Sequence, residues 1–389
     1  MKREKQINPL PYPAYFWVVI LLAASGLADS IYLAVSHYRV YTDIAYSSFC
    51  AISKAINCDT VSQSVYSILL GIPIPVWGSI GYTFLLLILL FARKKEATGQ
   101  RLWPIIFSVS LAFSTYSVIL AIISVFYIHS YCIMCVASYG INFLLLYYSW
   151  IIRKRFDNTE LIKGLKLDIS FLWKLRKKVL SVFLPALSFC LILLILFPSY
   201  WNFSSTLLPK DMPNGNTKEG YPWIGARNPE LEIMEFTDYQ CFQCKKMHFF
   251  LRQLIAKHPG KIRLIHRHFP MDHKLNPIVK ERFHVGSSTM ALFSAYAQTQ
   301  GKFWEMNDAL YRIAGKKKVI NIKELAEKID LNYRALSYST KDRGIRYKVK
   351  HDISTGIKLG INGTPAYAIN NKVYFANISQ QILKKVLEY

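Results

Sequence analysis

The sequence predicts an α-helical membrane bundle of five spanning helices joined to a water-soluble α/β domain with a helical insertion. Three observations predict it. Five apolar runs, at 15–36, 74–92, 104–128, 133–152 and 179–198, are each long enough to cross a bilayer as a helix. Short Lys/Arg-rich segments fall at alternate ends of those runs. Beyond residue 230 the chain turns polar, and strand-like stretches alternate with helix-like ones.

The first run follows Lys2, Arg3 and Lys5, as a secretory signal would. It is longer than a signal's apolar core and no small-x-small cleavage site follows, so it is expected to remain as a helix. Asp29 stands near its outer end. An acid in an apolar helix is in general a mark of function, although a bond to Ser30 or to a neighbouring helix accounts for it equally. Arg93, Lys94, Lys95 and Arg101 join the second run to the third, and nine Lys and Arg residues between 153 and 178 join the fourth to the fifth. The positive-inside bias puts these segments and the N-terminus in the cytoplasm. The loop 37–73, the turn 129–132 and everything after residue 199 then lie outside.

Cysteine usage agrees with that orientation. Six of the seven (Cys50, Cys58, Cys132, Cys135, Cys241 and Cys244) fall on the outer, oxidising side, whereas Cys190 lies within the fifth run as a small buried hydrophobe. Cys132-Ile-Met-Cys135 interrupts two apolar runs and therefore sits at the membrane surface, at the start of a helix whose positive end favours a thiolate. Cys241-Phe-Gln-Cys244 lies in polar sequence straight after the strand-like run Leu231–Phe236. Cys50 and Cys58 in the outer loop read as a structural clamp or as a shuttle that passes electrons inward. A zinc site made from both Cys-x-x-Cys pairs meets an obstacle, because more than one hundred residues and a further span separate them. No metal is expected, and His129 reads as a solvated interfacial histidine.

Cys50-x7-Cys58, Ser64 six residues beyond, Gly71-Ile-Pro, and Cys132-Ile-Met-Cys135 with Tyr139 four residues later together resemble the vitamin K epoxide reductase family, in its bacterial thiol-oxidising branch. The resemblance covers about residues 12–155. It implies a four-helix bundle enclosing a quinone, either ubiquinone or menaquinone. Cys132 and Cys135 match the redox-active pair beside that quinone, with Cys135 adjoining it. Cys50 and Cys58 match the shuttle pair, and Ser64 and Tyr139 the polar groups near the quinone carbonyls.

The polar half runs strand Leu231–Phe236, Cys-x-x-Cys helix, strand Lys261–His268, a mainly helical stretch 277–358, Gly363-Thr364-Pro365-Ala366, a hairpin over 367–375 turning at Asn370-Asn371, and a closing helix to Tyr389. This order resembles a thioredoxin fold of the DsbA type over 223–389. The resemblance implies Cys241 as the exposed nucleophile, Cys244 as the resolving thiol, Thr364-Pro365 as a cis-proline turn facing them, and Glu235 as a buried acid that relays a proton. Taken only as a strand residue, Glu235 reads equally as an ordinary exposed side chain. The chain departs from the type at Phe242-Gln243, where the type carries a histidine, and this bears on how well the Cys241 thiolate is stabilised. The stretch 199–228 is rich in Pro, Asn, Gly and Ser and reads as a flexible tether, and the expected divisions are a quinone-linked membrane domain at 1–155, a basic linker, fifth span and tether at 156–222, and the thioredoxin-like domain at 223–389.

The net charge of +24 raises nucleic acid as a partner, but the cations flank apolar runs instead of forming an aromatic-interleaved stripe, so none is expected. The expected protein is a quinone-dependent thiol–disulfide oxidoreductase. It would be multi-pass in a bacterial inner (cytoplasmic) membrane, with its C-terminal domain in the periplasm and reduced exported proteins as substrates. Two rivals stand beside it: a reductase or isomerase that runs electrons outward, and a membrane binding or assembly protein whose cysteines are structural.

Overall fold

Each of the five apolar runs folds as a helix in the computed structural model. The structure describes residues 10–383 apart from 54, 94, 97–98, 158, 202–211, 314–319 and 379–380. Lys2, Arg3, Lys5, Lys94, part of the expected tether and residues 384–389 of the expected closing helix lie outside the described residues. The chain divides into two compact units, residues 1–200 and 201–389.

The first unit contains α1 (Tyr12–Thr42), α2 (Cys58–Gln63), α3 (Ile74–Ala92), α4 (Trp103–Ile123), α5 (Ile133–Ile152), α6 (Leu161–Lys174) and α7 (Arg176–Leu196). Of these, α1, α3, α4, α5 and α7 are long and apolar enough to cross a membrane, so the protein is a multi-pass membrane protein. Prolines occupy the first turns of α3 and α4, where a missing N–H leaves no hydrogen bond unmade. A π-helical turn, Ser124–Ile128, follows α4 and ends at His129, which is left-handed with φ 56° and donates its N–H to the Ser124 carbonyl at 2.9 Å. That turn delivers the chain to Cys132.

α1, α3, α4 and α5 pack as a four-helix bundle around fully buried Val19, Ala23, Leu85, Ile106 and Leu145. Gly26 lets the Tyr82 ring lie against α1, because a Cβ there would overlap it. The Tyr82 hydroxyl then donates to Asn142 Oδ1 at 2.6 Å, tying α3 to α5. α7 touches α3 through Phe183 against Phe84 and Phe91, and leaves Ile195 and Leu196 exposed, as suits a lipid-facing helix.

The segment expected as a plain basic linker is folded. Asp168 of α6 accepts the N–H of Leu102 at 2.9 Å and of Ile105 at 3.4 Å, capping α4, and it lies 3.7 Å from the buried Arg101 guanidinium. Asp157 pairs with the same arginine. Counting cations along the segment reveals its sidedness but not these acidic partners.

The second unit is built on a six-stranded sheet of β1 (Asn214–Asn216), β2 (Pro222–Gly225), β3 (Leu231–Thr237), β4 (Ile262–His268), β5 (Ala366–Ile369) and β6 (Lys372–Phe375), in the order β6-β5-β3-β4-β2-β1. β3 and β4 are parallel and the other pairs antiparallel. β1 and β2 fall within the stretch 199–228 expected as a tether, so that stretch joins the sheet from Asn214 onward. Its Pro, Gly and Asn residues mark strand ends and turns here, a use that composition does not distinguish from a linker. Asn370 and Asn371 are both left-handed, as the expected two-residue hairpin requires.

α8 (Phe242–Lys257) follows β3. The insertion carries α9 (Ser287–Thr299), α10 (Phe303–Ile313), α11 (Ile322–Lys328), α12 (Tyr333–Ser339) and α13 (Arg343–Lys358). Residues 277–286 were expected within the helical stretch, but they form turns and bends that enter α9 through left-handed Gly286. Two clusters of buried side chains make the core, one around Phe249, Phe293 and Leu310, the other around Phe236, Phe269 and Ile353.

Candidate active site

Cys132 is the N-cap of α5, and its sulfur accepts the Cys135 N–H at 3.2 Å. The outer loop is pinned just ahead of it. Asn57 N–H donates to the Tyr131 carbonyl at 2.9 Å, and Tyr131 N–H to the Ala55 carbonyl at 2.7 Å. Asn57 also starts α2, its Oδ1 accepting the Thr60 N–H at 3.0 Å, and this presents Cys58 as the first helical residue. Cys58 is disulfide-bonded to Cys50. Cys50, Cys58 and Cys132 form one buried cluster, with Cys135, Leu33 and Val61 packed on it.

A cavity of about 530 Å³ opens beside this cluster, and Cys132, Cys135, Ser64 and Tyr139 all line it. The Ser64 hydroxyl donates to the Val61 carbonyl at 2.8 Å. The Tyr139 hydroxyl makes no hydrogen bond among the described residues. Sequence reasoning missed His37, Asn142 and Ser117, which also line the cavity. His37 Nδ1 is 2.7 Å from the Tyr200 hydroxyl and Nε2 is 3.2 Å from Ser67 Oγ, while Asn142 Nδ2 donates to Ser117 Oγ at 2.9 Å. Polar residues recurring inside apolar runs were the available signal. Asp29 binds the Ser138 hydroxyl of α5, in keeping with the neighbouring-helix reading, and its other oxygen is buried without a hydrogen-bond partner among the described residues.

Cys241 is the N-cap of α8 and its sulfur accepts the Cys244 N–H at 3.2 Å. It is 7% exposed, less open than expected, with the Thr364 carbonyl 3.5 Å from its sulfur and the Thr364–Pro365 bond cis. Burial acts to raise the Cys241 thiol, but hydrogen bonding with Cys244 and the charge of His284 outweigh it and hold it below the ordinary cysteine value. Burial, reinforced by the hydrogen bond with Cys241, pushes Cys244 well above that value. The two thiols are therefore unequal: one favours the thiolate, the other stays protonated.

Glu235 is fully buried on β3, so the exposed reading fails. Its Oε1 lies 2.8 Å from Nδ1 of His266, its register partner on β4, and His266 Nε2 lies 3.2 Å from His268 Nδ1. Among the described residues no group of three His, Cys, Asp or Glu is arranged to hold a metal ion.

Residues 17–150 match the vitamin K epoxide reductase family, and residues 217–389 match a thioredoxin family. The chain joins a vitamin K epoxide reductase family domain to a thioredoxin-like domain. Similar solved structures for the second domain include a thioredoxin-like oxidoreductase from Silicibacter pomeroyi at 22% identity, covering 43% of this chain and 90% of that one, with a TM-score of 0.36. Another is alpha-DsbA1 from Wolbachia pipientis, at 19% identity, 44% and 92% coverage and a TM-score of 0.36. Among curated proteins, the Na(+)/H(+) antiporter NhaA 1 of Salinispora arenicola is 23% identical over 159 residues, which is 41% of this chain. Its counterpart NhaA 3 of Salinispora tropica is 23% identical over 148 residues. The chain spans less than a quarter of those antiporters, 23% and 21% of their lengths.

The vitamin K epoxide reductase domain thus contributes a disulfide buried against a capped dithiol, and the thioredoxin-like domain a second capped dithiol of unequal thiols. Thiol–disulfide exchange is the chemistry both arrangements support.

Proposed function

We propose that the protein forms disulfide bonds in exported proteins and delivers the electrons to a membrane quinone. The observation that carries this reading is the buried cluster of Cys50, Cys58 and Cys132 with Cys135 facing the cavity. A substrate thiolate attacks the Cys241–Cys244 disulfide, and the second substrate thiol closes the new bond, leaving both cysteines reduced. Cys241 attacks Cys50 and expels the Cys58 thiolate; Cys244 then attacks Cys241 and frees Cys50. Cys58 attacks Cys132 of an oxidised Cys132–Cys135 pair, expelling the Cys135 thiolate, and Cys50 resolves that intermediate by reforming its bond to Cys58. Two electrons have then moved from substrate to the Cys132–Cys135 dithiol. Because both units belong to one chain, the exchange between them is intramolecular and gains the effective concentration of a tethered pair.

The cavity suits a quinone. Its lining is largely apolar, as a ring and isoprenoid tail require, and Tyr139 offers a hydroxyl that makes no other hydrogen bond among the described residues. Tyr139 and Ser64 would hold the ring, with Cys135 adjoining it. A bound quinone would take up the two electrons and two protons that this dithiol gives up on closing. The lowered Cys241 thiol favours the oxidising direction over the reducing one, since a stabilised thiolate makes its disulfide the stronger oxidant. The positive-inside bias of the basic segments supports a second unit outside a bacterial cytoplasmic membrane, in the periplasm.

The test is anaerobic turnover of the full-length protein with a reduced, unfolded protein substrate and ubiquinone or menaquinone. One quinone reduced per disulfide formed is the expected stoichiometry. Disulfide formation without quinone reduction, or quinone reduction that survives loss of Cys135, would end the reading.

A further inference from the structure

The loop between β4 and α9 carries a histidine that the relay has not used. His284 Nδ1 lies 3.1 Å from Asp238 Oδ2. Asp238 opens the turn that Cys241 closes by donating its N–H to the Asp238 carbonyl at 3.1 Å, so acid and thiol share one turn. The Asp238 carboxylate is 1% exposed and also accepts the N–H groups of Gln240, at 2.6 Å, and of Met271. A second buried acid, Asp272, anchors the loop: its Oδ2 accepts the Gly286 N–H at 3.0 Å and the Ser288 N–H at 3.3 Å. The Phe283 ring stacks on the imidazole with centroids 4.0 Å apart. His284 is thus held in place from several sides.

A buried carboxylate this close would by itself oppose a negative charge on Cys241. The two residues between the cysteines, Phe242 and Gln243, bring no cation to offset it. We propose that His284, delivered by the loop before α9, is the cation that stabilises the Cys241 thiolate, in place of a histidine between the two cysteines. The proposal rests on the reading of Cys241 as the nucleophile. The groups facing the pair are Asp238, Asp272 with His273 at 3.2 Å from its carboxylate, and Cys244; Lys280, Glu281 and Arg282 on the same loop point to solvent. Burial works to lower His284, yet the adjoining Asp238 carboxylate, helped by Cys241, pushes it above the ordinary histidine value. The cation is therefore held to a higher pH than in an ordinary histidine, and is lost as pH rises through the raised value.

The experiment follows iodoacetamide labelling of the Cys241 and Cys244 peptides by mass spectrometry in the reduced full-length protein, as a function of pH. Wild type is expected to label Cys241 first, with a midpoint below that of an ordinary thiol. His284→Gln keeps a hydrogen-bonding group for Asp238 but no charge, and should move the midpoint up by about one pH unit, slowing labelling about tenfold on the acid side. His284→Lys restores the charge and should restore the low midpoint. A midpoint unchanged in the Gln variant overturns the proposal, and so does an equal shift in the Gln and Lys variants, which would make the role of His284 purely structural. If wild-type Cys241 labels no faster than Cys244, the reading of Cys241 as nucleophile is what fails.

Discussion

The sulfur of Cys132 accepts the Cys135 N–H at 3.2 Å, and the sulfur of Cys241 accepts the Cys244 N–H at the same distance. Each leading cysteine takes the place that Ser, Asn or Asp usually fills at a helix start. A thiolate there meets unsatisfied N–H groups and the positive end of the helix dipole. The device needs only a helix beginning, so it serves a bilayer surface and an aqueous domain alike. Burial then separates the trailing sulfurs, for Cys244 is completely enclosed whereas Cys135 faces a cavity.

The α4 cap makes a stability prediction. Asp168→Ala removes acceptors from two N–H groups and leaves the buried Arg101 with Asp157 as its acidic partner. The loss of the first unit's stability is expected to be about 3–5 kcal/mol, with Asp168→Asn less damaging because it retains an acceptor. Thermal unfolding in detergent measures it, and indistinguishable curves for wild type and both variants would show that the triad contributes nothing.

The second unit should lose stability as pH falls below the ordinary histidine range. Burial, aided by nearby His266, Lys348 and Arg267, pushes His268 well below its usual value, and burial lowers His248 despite its pairing with Asp308. For a histidine lowered in the native state, the unfolded chain binds the proton first. The contribution of these two histidines is therefore full above about pH 6.5 and falls on acidification by up to ~1.4 kcal/mol per pH unit per histidine. Melting temperatures across that interval test this, and His268→Gln should flatten the slope; an unchanged slope would mean that His268 does not carry it.

The five helices were legible in the sequence because length and apolarity alone specify a spanning helix. The Cys-x-x-Cys helix starts were legible because spacing and position after a strand are local properties. Pairings that join distant segments were not. Nothing local in His37 announces Tyr200, and nothing in Asp168 announces Arg101; in His284 the cue was only a histidine in a polar loop. β1 and β2 were missed for the opposite reason, since Gly, Pro and Asn in short strands imitate the composition of a linker. Glu235 stood between two readings until the register with His266 showed it buried.

Tyr139→Phe should slow quinone reduction on the order of tenfold to a hundredfold while leaving exchange between Cys241 and Cys50 intact, by analogy with removing one donor from a preorganised site. Ser64→Ala should cost less, because the Ser64 hydroxyl is already committed to the Val61 carbonyl. Stopped-flow reduction of a soluble quinone analogue separates the two. Unchanged kinetics in both variants would remove these residues from the site.

The order of the relay follows from which sulfurs can meet. Asn57 and Tyr131 hold Cys58 beside Cys132 within one buried cluster, and the proposed relay makes the loop pair the donor to the membrane dithiol. Cys244→Ser leaves Cys241 able to attack and unable to be released, and a Cys241–Cys50 mixed disulfide should accumulate. Cys50→Ala removes the thiol that frees Cys58, so Cys58 should be trapped on Cys132. Non-reducing peptide mapping of the two variants reads both species. A Cys241–Cys132 disulfide in the first variant would instead mean that the loop pair is bypassed, returning Cys50 and Cys58 to the role of a structural clamp, and the buried cluster would then be a packing feature and not a path for electrons.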